Sequence, residues 1–397
     1  MISDRARRRG KASAALVVFV AAAVLAVAAG TTAGRHRAAG VAGSTVVVLS
    51  PTGSDSNPCT STAPCQSLGR GYEAASPGDV VELESGTYTG DETLSGGVKP
   101  GSKPIVFRPA KGAKPVLDGE IRVRSLAHLE FQRLSFFDFY LEQGSQDITF
   151  RNSTMRYFFV RSSSNVRILG GSVGASDDST SPTIGAAGTS APPSRNVLID
   201  GVRFHDITRA RDPSGHVECL FIQESVSVTI RRSRFEHCDI MDVFVNDIVG
   251  GPVPRAVTLE NNFFGAPTDG GFYAINFAWN PGDVIADHVV RYNSIDGSLL
   301  FAPGTYRNVQ VYANIGDLNN CTAGVVFSYN IWSDKRCSRT DRRASHGFVD
   351  ASELDLRLVH GAAAVNHGDP HRFPRTDIFG VRRPLGRAPD AGAVEVR

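Results

Sequence analysis

The sequence predicts an all-β fold, a solenoid of stacked coils that forms a parallel β-helix. The main observation is a recurring segment in which apolar and variable residues alternate, polar residues follow, and an apolar residue comes next, as in residues 227–235. Alternation of this kind is typical of a strand with one buried face, and the polar residues are typical of a corner. Repetition at this period predicts coils that bury their apolar faces by stacking. Related segments begin at His128, Asp147, Asn165, Asn196, Ala256, His288, Asn308 and Val325.

The spacing of these segments varies along the chain. Their starts are 17 to 20 residues apart at both ends, but 29 to 32 residues apart between residues 165 and 288. The longer coils carry roughly ten extra residues, which must leave the stack as loops. Binding and catalytic residues concentrate on loops held by a rigid scaffold, so we expect the functional site in this middle region.

The charge distribution argues against a nucleic-acid-binding protein. The chain of 397 residues has a formal net charge of +2, from 42 Lys and Arg against 40 Asp and Glu. Seven of the basic residues and one acid lie before residue 41, which leaves 35 basic and 39 acidic residues, a net charge of −4, in the remainder. We therefore expect no nucleic-acid partner for residues 41–397.

The first 40 residues have the pattern of an export segment. An uncharged, apolar stretch at residues 12–29 follows a basic cluster, and small residues after it offer sites for cleavage by signal peptidase. The alternative is that residues 12–29 remain as a membrane anchor. In both cases residues 41–397 form a single domain outside the cytoplasm, either secreted or at the cell surface.

The six cysteines suggest three local disulfide bonds in an exported protein. Their spacing favours the pairs Cys59 with Cys65, Cys219 with Cys238, and Cys321 with Cys337. For the second pair the alternative is that each cysteine is simply a small buried residue.

Both ends of the chain carry motifs typical of one superfamily. They are VVVLSPTGSDSNP from Val46, PGDVVEL from Pro77 and SGTY from Ser85, then NHGDP from Asn366 and DAGAVE from Asp390. These motifs resemble the opening and closing segments of pectate-lyase-like right-handed parallel β-helix proteins. The resemblance implies a right-handed coil over about residues 46–396, with a short N-terminal helix at residues 68–75 that caps the stack. The superfamily includes lyases, hydrolases, epimerases and adhesins, so the resemblance does not imply one activity.

Three strands in the middle region predict an outward polar strip. If Leu220, Val243 and Ile275 point inward in register, Asp242 points outward, and Gln223 and Asn246 stack two residues later. The same register places the rings of Phe221 and Phe244 outside, as an apolar platform for sugar rings. A register shifted by one residue would instead bury both rings in the core, and aromatic residues are more often buried.

A dense group of mixed charges surrounds this strip and supplies the candidate catalytic residues. Adjacent coils bring carboxylates to about 5 Å from each other, close enough to separate an acid from a base or to bind Ca²⁺. The alternative is a solvated surface with salt bridges. The candidates are Arg209, Arg211, His216, Glu218, Asp239 and Asp242, of which Asp239 and Asp242 are also the candidate calcium ligands.

The predicted function is action on an extracellular polysaccharide by a monomeric protein. A polysaccharide lyase acting on a glycan that contains uronic acid needs a base, here an arginine or His216, and a cation that stabilises the enolate. The resemblance implies an arginine or lysine base, often with Ca²⁺. A glycoside hydrolase would instead use two carboxyl groups among Glu218, Asp239 and Asp242. The third alternative is a glycan-binding or structural protein of the cell surface without catalytic activity.

Overall fold

We describe the protein from a computed structural model. The described residues are 45–185, 191–247, 251–269, 273–278, 280 and 282–396. The predicted export segment at residues 12–29 and the domain boundary at residue 41 lie outside them. Among the residues described, no helix is both long enough and apolar enough to cross a lipid bilayer.

The described residues form one α-helix, one short 3₁₀ helix at Ala351–Glu353 and a long series of strands. The first half consists of β1 (Val46–Leu49), α1 (Leu68–Ala74), β2 (Val80–Leu83), β3 (Gly86–Thr89), β4 (Glu92–Leu94), β5 (Ile105–Pro109), β6 (Pro115–Arg124), β7 (Ala127–Gln132), β8 (Ser135–Glu142), β9 (Gln146–Val160), β10 (Ser164–Ser176), β11 (Thr183–Ile184), β12 (Ser194–Asp200), β13 (Arg203–Ile207), β14 (Glu218–Ile222), β15 (Ser225–Arg231) and β16 (Arg234–Cys238). The second half consists of β17 (Met241–Val245), β18 (Arg255–Glu260), β19 (Phe263–Phe264), β20 (Ile275–Phe277), β21 (Val284–Ala286), β22 (Val289–Arg291), β23 (Ser294–Phe301), β24 (Thr305–Arg307), β25 (Val309–Tyr312), β26 (Ile315–Leu318), β27 (Val325–Ser328), β28 (Ile331–Trp332), β29 (Arg342–Arg343), β30 (Phe348–Asp350) and β31 (Asp355–Leu358).

The strands stack in parallel on three faces, which confirms the predicted parallel β-helix. Each coil contributes one strand or strand segment to each face in turn. In the middle of the stack, face 1 contains β12, β15 and β18, face 2 contains β13, β16 and β19, and face 3 contains β14, β17 and β20. The first 29 strands form one continuous sheet because several strands run around a corner, and β30 and β31 form a separate antiparallel pair.

Aromatic rings stacked coil upon coil fill much of the core. On face 1 the ring of Phe131 stacks between those of Phe107 and Phe150, with centroid distances of 5.2 and 5.3 Å. On face 2 Phe204, Phe235 and Phe264 stack at 4.7 and 4.9 Å. Equivalent inward positions repeat about every 4.8 Å along the axis, so identical side chains meet their counterparts in the next coil.

The corner between faces 1 and 2 is held by a ladder of buried side-chain amides. Asn262, Asn293, Asn314 and Asn330 occupy equivalent positions, and all are buried. The side-chain oxygen of each of the last three accepts the backbone N–H and the side-chain N–H of the ladder residue before it, at 2.9 to 3.1 Å. Asp341 ends the ladder by accepting the same two bonds from Asn330. These bonds satisfy the polar groups of a corner that is buried from solvent.

The N-terminal cap and the three disulfide bonds are as predicted. Helix α1 starts after Ser67, whose hydroxyl accepts the backbone N–H of Arg70 at 3.0 Å, and it buries Leu68 and Tyr72. The helix ends one residue before the predicted Ala75. The disulfide pairs are Cys59–Cys65, Cys219–Cys238 and Cys321–Cys337.

Candidate functional site

The candidate site lies on the outer surface of face 3. The predicted register is correct, because Leu220 pairs with Val243 and Val243 pairs with Ile275, and all three side chains are fully buried. Phe221 and Phe244 therefore point outward and are only partly buried. Their rings stack at a centroid distance of 5.2 Å with 14° between the planes. The shifted register, which would bury both rings, is wrong.

The stacked pair belongs to a longer row of outward rings. Tyr140 and Phe159 occupy the same outward position in earlier coils, with nearly parallel planes and centroids 6.4 Å apart. Thr183 stands between Phe159 and Phe221 in the register. We call Tyr140, Phe159, Phe221 and Phe244 the aromatic row. It consists of two ring pairs, separated by Thr183, that follow the axis of the solenoid.

Arginines surround the N-terminal end of the aromatic row. The guanidinium of Arg122 lies 4.0 Å from the ring centroid of Tyr140, and that of Arg161 lies 4.2 Å from the centroid of Phe159. Both arginines, and Arg124, also face the carboxylate of Glu142. A cavity of about 530 Å³ opens beside Arg124 and Arg161. This end of the row combines ring faces with cations, a combination suited to an acidic sugar.

His216 and Glu218 form an ion pair next to the aromatic row. Glu218 is buried at the start of β14, and its carboxylate accepts a hydrogen bond from the hydroxyl of Ser181 at 2.9 Å. Its other oxygen faces Nδ1 of His216, whose side chain is 55% exposed. The imidazole centroid lies 5.8 Å from that of Phe244. The hydrogen bond to Glu218 raises the pKa of His216, and burial opposes this shift.

The loop before β14, which carries His216, is held by a hydrogen bond within itself and by one to Ser179 of the preceding coil. The hydroxyl of Ser179 donates to the carbonyl of Asp212, and Nη1 of Arg209 donates to the carbonyl of Gly215. A Cβ atom at Gly215 would lie 2.4 Å from the Ser179 hydroxyl, so only glycine fits there. The residue before His216 is thereby held close to the preceding coil.

Arg209 and Asp239 lie behind this pair and are used mainly in structural contacts. The guanidinium of Arg209 forms an ion pair with Asp269. Asp239 accepts the backbone N–H of Arg209 at 2.8 Å and the hydroxyl of Thr268 at 2.5 Å. Arg211 points away, with its side chain 75% exposed and paired with Asp177. The structure therefore brings Arg209, His216 and Glu218 together and leaves Arg211 apart.

Asp242 and Gln223 do not form the exposed polar strip that was expected. Asp242 is fully buried, and neither of its carboxylate oxygens has a hydrogen-bond partner among the described residues. Burial raises its pKa well above the usual range, and the charge of Asp296 adds to this. Gln223 is also buried, whereas Asn246 is partly exposed. The prediction that Asp242, Gln223 and Asn246 point outward from their strands is correct, but adjacent parts of the fold cover Asp242 and Gln223.

Asp239 and Asp242 do not fit a shared calcium site. Both oxygens of Asp239 already accept hydrogen bonds, and Asp242 is enclosed where its neutral form is favoured. Within the described ranges no group of three or more His, Cys, Asp or Glu side chains is arranged to hold a metal ion. We therefore assign no step to calcium, and calcium dependence stays a prediction for experiment.

Comparison with solved structures gives the fold. XylC in complex with xylose superposes with a TM-score of 0.50 at 9% identity, over 89% of this chain and 98% of that chain. The chain has the pectate-lyase-like right-handed β-helix fold. Pectate lyase Pel9A aligns at 16% identity over 89% of this chain and 96% of that chain, with a TM-score of 0.49. A rhamnogalacturonan lyase aligns at 14% identity over 77% of this chain and 90% of that chain, also with a TM-score of 0.49. No protein-family model matches the sequence, and none of the curated proteins matches it significantly.

Sequence reasoning missed the N-terminal half of the aromatic row on this β-helix. Tyr140 and Phe159 lie in the segments SFFDFYLE and RYFFV, where several aromatic residues are adjacent and alternation does not show which ones face outward. The signal that identifies them is register with Phe221, because residues at equal offsets in successive coils share a face. That register depends on the length of the loop between β10 and β11, which alternation alone does not predict.

Proposed function

We propose that face 3 binds an extracellular glycan containing uronic acid and that the protein is a polysaccharide lyase. The observation that carries this proposal is the His216–Glu218 pair beside the stacked rings of Phe221 and Phe244. The outward edges of the two rings offer apolar contact to a sugar, and a histidine held by a buried carboxylate suits proton transfer. The arginines near Tyr140 and Phe159 supply cations for sugar carboxylates elsewhere along the same strip.

In the proposed reaction His216 is the base. Glu218 pairs with Nδ1, so Nε2 faces the substrate and takes the proton from the carbon next to the uronate carboxylate. The electrons of that C–H bond form a carbon–carbon double bond as the adjacent bond to the glycosidic oxygen breaks. The leaving oxygen takes up a proton from water, and the hydroxide that remains removes the proton from His216, which restores the neutral base. Arg209 is paired with Asp269 and donates to the carbonyl of Gly215, so its role is to position the loop that carries His216.

The hydrolase alternative receives less support from the geometry. It needs two accessible carboxyl groups, whereas Asp242 and Glu218 are buried and Asp239 is occupied by two hydrogen bonds. A glycan-binding protein without catalytic activity would use the same aromatic row and is the other outcome of the test.

The deciding experiment incubates the purified protein with a panel of polyuronates and neutral glycans, with added calcium or with chelator. Formation of unsaturated products is the expected result. New reducing ends without unsaturation would indicate a hydrolase and contradict the proposal. Retention on one glycan without any product would indicate a binding protein. The His216→Ala variant, with His371→Ala as a control at an exposed site elsewhere, tests whether His216 is required.

A further inference from the structure

A second cavity lies at the C-terminal end of the solenoid, far from the aromatic row. It has a volume of about 650 Å³, within the range of about 300–1,000 Å³ that is usual for ligand sites. Its wall is strongly basic. Residues that line it include Arg336, Arg339, Arg342, Arg343, Tyr329 and His367. We call this cavity the arginine pocket.

The positive charge of the arginine pocket exceeds the negative charge in its wall, with four arginines against the one carboxylate of Asp341. Within the described part of the chain, none of its four arginines forms an ion pair, although most arginines on the middle coils do. The acid in its wall is Asp341, which is buried at the end of the asparagine ladder. Its two oxygens already accept hydrogen bonds from Asn330 and from the backbone N–H groups of Cys337 and Ser338.

The loop that carries these arginines is held in a fixed shape. The disulfide Cys321–Cys337 ties it to the preceding coil, and the hydroxyl of Ser338 accepts the backbone N–H of Asp341 at 3.1 Å. Nη1 of Arg342 donates to the carbonyl of Ala363 at 2.9 Å, so this guanidinium is oriented before any ligand arrives. A preformed set of donors loses less entropy on binding.

His367 gives an independent indication that a ligand oxygen belongs in the pocket. Its Nε2 atom is buried and has no hydrogen-bond partner among the residues described. Burial and the charge of Arg342 lower the pKa of this histidine to about 4, so the ring is neutral at pH 7. The ring donates a hydrogen bond to the backbone of Thr340, so in the neutral form the unpartnered Nε2 is an acceptor, and a sugar hydroxyl placed in the cavity would donate to it.

We propose that the arginine pocket is a second glycan site, which binds the carboxylate or sulfate groups of an acidic polysaccharide. Guanidinium forks match both oxyanions in geometry and charge. The choice of a glycan as the carrier of these groups rests on the proposed function of face 3. The pocket lies on the corner between faces 1 and 2, about four coils or ~19 Å along the axis from Phe244. A chain held there leaves face 3 free, so the pocket retains the protein on its polymer.

The test measures the affinity of the purified protein for polygalacturonate, dextran sulfate and neutral dextran by titration calorimetry. The double variant Arg339→Gln/Arg343→Gln removes two pocket charges. The matched control Arg133→Gln/Arg195→Gln removes two exposed arginines that have no ion pair among the described residues. We expect the pocket variant to lose at least tenfold in affinity for an acidic glycan, the control less than twofold, and neutral dextran not to bind at the pocket.

Two outcomes would overturn the proposal. If both double variants lose the same affinity for an acidic glycan, the overall positive charge of the protein drives binding. If duplex DNA binds the pocket as tightly as the acidic glycan does, the pocket does not select glycans. Comparison of the affinities for polygalacturonate and dextran sulfate shows whether the pocket prefers carboxylate or sulfate groups. Binding is also measured in the Phe221→Ala/Phe244→Ala variant. If the wild type has no lyase activity but this variant still binds an acidic glycan through the arginine pocket, the face 3 proposal fails and the pocket proposal stands.

Discussion

His216 and Glu218 are two residues apart in the sequence, yet one side chain is exposed and the other is buried. The exposed imidazole meets the buried carboxylate through Nδ1, and Ser181 holds the carboxylate from the other side. The imidazole of His216 can contact a substrate, whereas the carboxylate of Glu218 cannot. A base of this kind owes its proton affinity to a partner that the substrate does not touch.

The first prediction concerns the pH dependence of this pair. The pKa of His216 is raised by Glu218, so its neutral, basic form appears only at a pH above the ordinary histidine value of about 6.5. We expect activity to rise with pH through that higher value, and Glu218→Gln to move the midpoint to lower pH. An NMR titration of the His216 ring checks this without any assay of activity. Glu236→Gln, which removes a carboxylate paired with Arg203, should leave the midpoint unchanged.

The structure shows which parts of this protein follow from pattern and which do not. The predicted coil starts at Asn165, Asn196 and Asn308 coincide with residues of left-handed backbone conformation just before face 1, because each coil must turn there. Alternation also predicts the directions of Leu220 and Phe221. It does not predict the burial of Asp242 or its electrostatic interaction with Asp296, which lies more than fifty positions further along the chain. Whether an outward side chain is buried depends on which distant parts of the chain pack over it in the folded protein.

The second prediction concerns the aromatic row. Loss of a stacked ring removes apolar contact area and a pair interaction, so Phe244→Ala should weaken glycan binding by about 1–2 kcal/mol, or roughly 5- to 30-fold in Kd. Titration calorimetry with the glycan identified in the activity panel measures this. Phe379 is exposed on another corner of the protein, so Phe379→Ala should bind the glycan normally. Equal losses in the two variants would remove the aromatic row from the binding site.

The third prediction concerns the asparagine ladder. Asn293 is fully buried, accepts two hydrogen bonds from Asn262, and donates to Leu259 and Asn314. The variant Asn293→Ala leaves several buried polar groups without partners, so we expect a loss of about 3 kcal/mol in the free energy of unfolding. Urea denaturation followed by circular dichroism measures it. Asn319→Ala removes an exposed hydrogen bond to the hydroxyl of Tyr273 and should change stability by less than about 0.5 kcal/mol.

The fourth prediction concerns Asp242. Its folded-state pKa is raised, so the folded protein holds this proton more tightly than the unfolded chain does, and stability falls as pH rises above about 4. Asp242→Asn removes this titration. We expect the variant to match the wild type near pH 4 and to be more stable by at least about 1 kcal/mol at pH 8.

Urea denaturation at the two pH values tests this prediction, and an equal difference at both would contradict it. The same variant tests the predicted catalytic role of Asp242. Full activity in Asp242→Asn would remove this residue from the site.

The parallel stacking of faces 1 to 3 also limits how the protein can change in evolution. Before Asn261, where the C-terminal segment begins to pack across the coils, each coil of the strand stack pairs with the coils directly above and below it, so duplication or deletion of one complete coil there preserves the packing on either side. Each such event would change the length of face 3 in a single step of about 4.8 Å. The length of polymer that face 3 can contact therefore changes by whole coils, and such a change leaves the residues around His216 unaltered.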